Sequence, residues 1–269
     1  MILEYYCNDG SIISEDAYAW RYLSLEFTID FLESNSIHFS RLDLFEDKFE
    51  GLPLSIKSYF LTAQRIKLDQ SEEAFNDFKK DFDKLKNKLK EEVDKWQKVA
   101  YSSCWYLTEN KKHYESLAMW RWKQSFNSFV IKLKLKDLLE LLKETLITYQ
   151  SDALIQAFYG KVAYLSLHQH DDLLDKGEKV FPQFIKQNVY SYENELRLIL
   201  LGNEKCFDIE FFRIKLKQSI LNKIEIIAHP NITKVDYKKA IKKFLSLGVS
   251  EFQIKVSENI PKEAFNMHL

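Results

Sequence analysis

Apolar and polar positions along this chain follow two rhythms, a period of two that marks strands and a period near 3.6 that marks one-sided helices. Residues 17–22 predict a short aromatic strand, and residues 25–32 a short helix whose first turn Ser24 is placed to cap. Residues 36–40 predict a second strand, so the chain opens as strand, helix, strand. Further on, the alternation predicts strands over 100–107, 129–135, 162–167, 195–201, 224–228 and 252–256. A leucine-rich helix is expected over 137–158 and another over 236–247.

One segment has a different texture. Phe75, Phe78, Phe82, Leu85, Leu89, Val93 and Trp96 recur at spacings of three and four among lysines and acids, which predicts a single apolar stripe on a long charged helix over 68–98. Such a stripe either lies on its own domain or docks a partner. No repeat, low-complexity run or Pro/Gly linker divides the chain. The expectation is therefore one α+β domain over 1–269, built on a mixed, largely antiparallel twisted sheet flanked by helices, with 68–98 as a helical insertion.

Composition narrows the function classes. A chain of 269 residues at average usage carries roughly 19 glycines, and this one carries six, too scattered for a dinucleotide fingerprint or a phosphate-cradling loop. A bound nucleotide would have to be held by side chains and strand edges. Thirty-nine basic residues balance forty acidic ones, so no whole-chain field favours nucleic acid or a membrane surface. The start of the chain lacks the pattern of a secretory signal, and no apolar run approaches a membrane span. Cys7, Cys104 and Cys206 are too few and too dispersed for a disulfide framework, and the cytoplasm is the expected location.

Four stretches carry further information. The first comprises Arg21-Tyr22-Leu23-Ser24-Leu25, His38-Phe39-Ser40 and Glu46-Asp47-Lys48-Phe49-Glu50; the second runs from Ser103-Cys104-Trp105 to Met119-Trp120-Arg121-Trp122. The third is Lys161-Val162-Ala163-Tyr164, and the fourth is Lys186 with Tyr190-Ser191-Tyr192-Glu193-Asn194-Glu195-Leu196-Arg197. In order and spacing these resemble the bacterial family designated "domain of unknown function 2971", whose most recognisable signature is Glu, any residue, Glu, an apolar or aromatic residue, then Arg. Glu46 and Lys48 stand where that family has Asn and Pro, and Asn127-Ser128 stands where a glycine is usual.

The family brings no settled activity. Its opening layout is similar to that of NAD-consuming ADP-ribosyltransferases: a basic residue on the first strand, a short helix, a strand bearing Ser or Tyr, and a catalytic Glu late in the chain. That resemblance implies Glu195 and Glu193 as catalytic residues, and Arg21, Tyr22, Ser40 and Arg197 as contacts to NAD. It also implies an acceptor, which the residues leave open among protein, nucleic acid, a small molecule and water, and a role as a toxin or phage-defence effector. The chemistry suits the residue types. Expelling nicotinamide leaves an oxocarbenium-like cation at the ribose, which one carboxylate can stabilise, and nicotinamide departs as a neutral base that needs no strong acid.

Other readings stand beside this one. On a strand, Glu193, Glu195 and Arg197 would share a face, so the two acids could simply pair with the guanidinium. The cleft would then be a non-catalytic module holding a nucleotide or a nucleic-acid end, with the 68–98 helix docking a partner. His168, His170, Asp171 and Asp172 form a run that lacks a distant third ligand, so no metal is expected, and a metal-dependent nuclease finds no clear motif. Cys104 with His113 could be drawn as a thiol and base, without a group to orient them. Trp105, Trp120 and Trp122 could stack on a base; Trp120 is expected instead to be buried beside the Val130 strand.

Overall fold

The structure, a computed structural model, describes residues 1–6, 12–14, 16–47, 50–53, 76, 91, 93–109, 115–122, 125–166 and 181–258. The fold is α+β, centred on a twisted ten-stranded sheet. Its strands are β1 (Leu3–Tyr5), β2 (Tyr18–Ser24), β3 (Ser36–Arg41), β4 (Ala100–Thr108), β5 (Ser128–Lys134), β6 (Leu154–Lys161), β9 (Glu195–Gly202), β10 (Phe211–Lys215), β11 (Glu225–Ala228) and β12 (Ile254–Val256). Two short strands, β7 (Ala163–Leu165) and β8 (Ile185–Gln187), pair separately. Within the large sheet only β1 with β6 and β11 with β12 run parallel; the other pairings are antiparallel.

The sheet forks at β4. One edge of β4 pairs with β9, while the other is shared: β2 takes Tyr106 to Thr108 and β3 takes Tyr101 and Ser102. Among the described residues, 103–105 of β4 therefore have no strand partner on that side. Beyond Trp20, β2 continues on β5 alone. The opening between the two branches is where the cavity described below reaches into the sheet.

Alternation along the strands sorts side chains into two unlike faces. Ala19, Ile37, Phe39, Tyr101, Trp105, Leu107, Ile131, Leu133, Leu196, Leu198 and Leu200 belong to the main core. That core is covered by helices α1 (Leu25–Ser34), α3 (Leu135–Thr148) and α4 (Lys234–Ser246), through residues such as Phe31, Leu142 and Phe244. Helix α1 starts where expected, with Ser24 Oγ accepting from Phe27 N at 3.4 Å and Asn35 closing it in the left-handed region. The opposite face carries Trp20, Tyr22, Val130 and Ile227, packed on Trp120 of the short helix α2 (Leu117–Trp122). Trp120 is 2% exposed beside Val130, as expected.

The structure departs from the sequence reading in several places: β1, α2 and β10 have no counterpart in it, the strand expected over 162–167 is β7 (Ala163–Leu165), and two further differences bear on the site. The leucine-rich helix ends at Thr148 rather than continuing to 158, because Ser151 Oγ accepts from the Ala153 and Leu154 amides and turns the chain into β6. Glu193 lies in a 3-10 turn, Asn188–Glu193, and not on the strand. Of the 68–98 segment, residues 93–98 are helical and Trp96 is 38% exposed; Phe75, Phe78, Phe82, Leu85 and Leu89 lie outside the described residues. So do His113, His168, His170, Asp171 and Asp172, together with the side chain of Trp122.

Candidate functional site

A cavity of about 560 Å³ opens on the face away from the large helices. Arg21, Tyr22, Ser40, Glu193 and Glu195 all line it, with Trp20, Cys104, Tyr106, Met119, Lys186, Tyr190 and Tyr192 among their neighbours. Its size suits a ligand of cofactor dimensions. Of the expected site residues, Arg197 alone is not on the wall.

Arg197 is 0% exposed and fully engaged. Its Nε and Nη2 donate to the two oxygens of Glu195 at 3.0 and 2.9 Å, and Nη2 and Nη1 approach Glu50 at 3.0 and 2.8 Å. Nη1 also donates to the Gln183 carbonyl at 2.6 Å. The expectation that Arg197 touches NAD is thus corrected, since every face of the guanidinium is taken by the protein. Its position is what strand alternation predicts: Arg197 and Glu195 stand on one face of β9, opposite Cys104 and Tyr106 of β4.

Glu50, like Lys186 below, is a residue to which the sequence reading gave no role in the site. It is 1% exposed and sits 147 positions before Arg197. Gly51, at φ +69°, makes the turn behind it, where a Cβ would come within 2.4 Å of Leu42 Cδ1. Gln97 Nε2 donates to the Glu50 carbonyl at 2.7 Å, so the described end of the 68–98 segment pins this turn. Glu50 closes the Glu46–Glu50 stretch quoted above. That was the available signal, although nothing local says where its carboxylate goes.

Lys186 completes a buried ionic cluster. Its Nζ lies 2.7 Å from Glu193, 3.1 Å from Glu50 and 4.0 Å from Glu195, and 4.6 Å over the ring of Tyr190. Burial opposes its charge, but Glu195 and Glu50 prevail and hold it above the ordinary lysine range. Arg197 is held high in the same way, against its burial, by Glu195 and Glu50. Burial pushes the Glu193 carboxyl up, and Lys186 only partly offsets this. The Cys104 thiol is likewise pushed up by burial and by the nearby Glu195 charge, which keeps it protonated and unsuited to nucleophilic work. Three carboxylates against two cations leave this cluster with a formal charge of −1.

Arg21 occupies the fork and is a different kind of arginine. By alternation its Cβ points toward the helix-covered face, yet its guanidinium crosses the gap between the branches. There Nη1 donates to Ser103 Oγ at 2.8 Å and Nη2 to the His38 carbonyl at 3.0 Å, with the Trp105 ring 5.3 Å away. The second contact gives a partner to a β3 carbonyl at the fork, and Ser103 Oγ also accepts from Trp105 Nε1 at 3.1 Å. Among the described residues Arg21 meets no carboxylate, and burial lowers its pKa to about 10. Ser40 stands on the neighbouring branch, paired with Ser102 in register.

The aromatic wall is held firmly. Trp20 Nε1 donates to Thr108 Oγ1 at 2.8 Å, the Tyr22 hydroxyl accepts from Ser116 N at 2.7 Å, and Tyr22 meets Trp120 edge-on at 4.8 Å. Trp105 is buried in the core beside the fork rather than displayed as a platform. Among the described residues no group of three or more His, Cys, Asp or Glu side chains could hold a metal, and no helix is long and apolar enough to cross a membrane.

Compared with protein-family models, curated proteins and solved structures, the chain matches none.

Proposed function

We propose that this protein binds NAD in the forked-sheet cavity and cleaves its nicotinamide–ribose bond, acting as an ADP-ribosyltransferase-like toxin or phage-defence effector. One observation carries the reading: a cation with no carboxylate partner among the described residues and a fixed carboxylate line the same aromatic cavity. Arg21 suits the pyrophosphate, since a guanidinium makes paired charge-assisted hydrogen bonds with phosphate oxygens. Ser40 suits the nicotinamide ribose hydroxyls. Glu195, oriented by Arg197, suits the developing cation at the ribose carbon. The breaking bond's electron pair leaves with nicotinamide, and the acceptor, oriented by Glu193, then bonds to that carbon and gives up its proton to solvent.

The ion pairing supports a second reading. Both oxygens of Glu195 already meet Arg197, as they would in a binding module whose acids are only structural. Glu195→Gln separates the two. Purified protein is incubated with labelled NAD, with and without cell extract, and folding is matched by circular dichroism. The enzyme reading expects nicotinamide release to drop about a hundredfold or more and toxicity on expression to be relieved. Wild-type turnover in the variant would remove Glu195 from the chemistry, and no turnover in either protein would leave the binding module.

A further inference from the structure

His38 stands behind the cavity-lining Ser40 and has no task in the proposed reaction. It lies two residues before Ser40 on β3, on the same face, and its Nε2 is 3.1 Å from Ser40 Oγ. The ring stacks on Phe211 of β10 at 4.9 Å and 25° between planes, which fixes its tilt. Its carbonyl accepts from Arg21 Nη2. One residue therefore touches both the cation and the hydroxyl that line the cavity.

From this geometry we infer that His38 is a positioning residue: its Nε2 accepts the Ser40 hydroxyl proton and turns the Ser40 oxygen lone pairs toward the bound ligand. The alternative, Nε2 donating to Ser40, would turn the hydroxyl proton outward instead. Charges around the ring favour the neutral imidazole that such acceptance needs. Burial disfavours its protonation, as do Arg21 across the fork and Arg213 on β10, while Asp30 on α1 opposes them. Asp30 is itself held by Arg213 at 2.7 Å. With its proton given to His38, Ser40 becomes an acceptor, which matches a ligand hydroxyl such as one on a ribose.

The test has two parts, and only the second rests on the reading of the cavity as an NAD site. In the first, nitrogen shifts of labelled histidine are recorded near neutral pH for wild type and Ser40→Ala. The inference expects Nε2 of His38 to be unprotonated and hydrogen-bonded in wild type, with its shift moving toward that of a free acceptor nitrogen in the variant. An Nε2 that carries the proton, or shifts indifferent to Ser40→Ala, would overturn it.

In the second part, NAD turnover is followed against pH in wild type, His38→Phe and His38→Gln. Phenylalanine keeps a ring on Phe211 and removes the acceptor, whereas glutamine restores an acceptor near the Nε2 position. The expected result is a loss of roughly three- to tenfold in His38→Phe, the scale of one neutral hydrogen bond, with recovery in His38→Gln. Wild-type turnover should also fall as His38 gains a proton, on an acid limb that His38→Gln lacks. Equal rates in all three proteins would contradict the inference. Absence of turnover in the wild type would count against the NAD reading alone, and the nitrogen shifts would still decide the role of His38.

Discussion

Arg21 and Arg197 lie in the same sheet and have opposite surroundings. Arg197 meets two carboxylates and a carbonyl behind the cavity wall, whereas Arg21 meets a hydroxyl, a carbonyl and a ring within the fork. A buried guanidinium that is fully paired organises its neighbours. One that meets no carboxylate among the described residues, at the edge of a cavity, is where the proposed function puts the ligand's phosphates. Burial alone does not tell these two arginines apart; the count of facing carboxylates does.

The strongest way to break this comparison is to remove each cation in turn. Arg197→Met leaves Glu50 and Glu195 buried with Lys186 as their remaining cation, and should cost about 3–5 kcal/mol in chemical denaturation, with a matching loss of soluble yield. Arg21→Met removes two hydrogen bonds and no ion pair, and should cost only about 1–2 kcal/mol. Equal losses at the two positions would erase the distinction. Trp120→Ala tests the aromatic support of the cavity and should cost roughly 3–5 kcal/mol, because the ring is buried against Trp20, Tyr22 and Val130. A melting temperature equal to wild type would mean that the wall stands without it.

A smaller effect concerns pH. His38 and His229 both have folded pKa values below the ordinary 6.5, chiefly through burial. Their contribution to stability is complete above 6.5, and it is lost as pH falls from there toward the folded values, because the unfolded chain takes up the protons first. Denaturation midpoints should therefore drop between about pH 7 and about pH 5, by less in His38→Gln than in wild type. An equal drop in both would remove His38 from the account.

Much of this arrangement was legible in the chain, and the illegible part has a common cause. The opening strand, helix and strand follow from local signals, alternation and the Ser24 cap. Glu195 and Arg197 share a face because the side-chain period is two. Glu193 defeated that rule, since Asn194 at φ 36° breaks the strand just before Glu195. The fork depends on β4 being shared between β2 and β3, and the ionic cluster on Glu50 reaching a strand 147 positions later. Neither has a local signature, because long-range pairing is decided by which edges and charges remain unsatisfied once the sheet assembles. The end of the leucine-rich helix was hidden for a humbler reason: residues 154–161 are apolar enough to extend a helical pattern, and Ser151 redirects them.

The most direct test of the central claim is a calorimetric titration with NAD, comparing wild type with Arg21→Gln at matched folding. Saturable binding at one site is predicted for the wild type, weakened about tenfold or more in the variant through loss of a charge-assisted contact to phosphate. Equal affinity in the two proteins, or no binding heat in the wild type, would contradict the account.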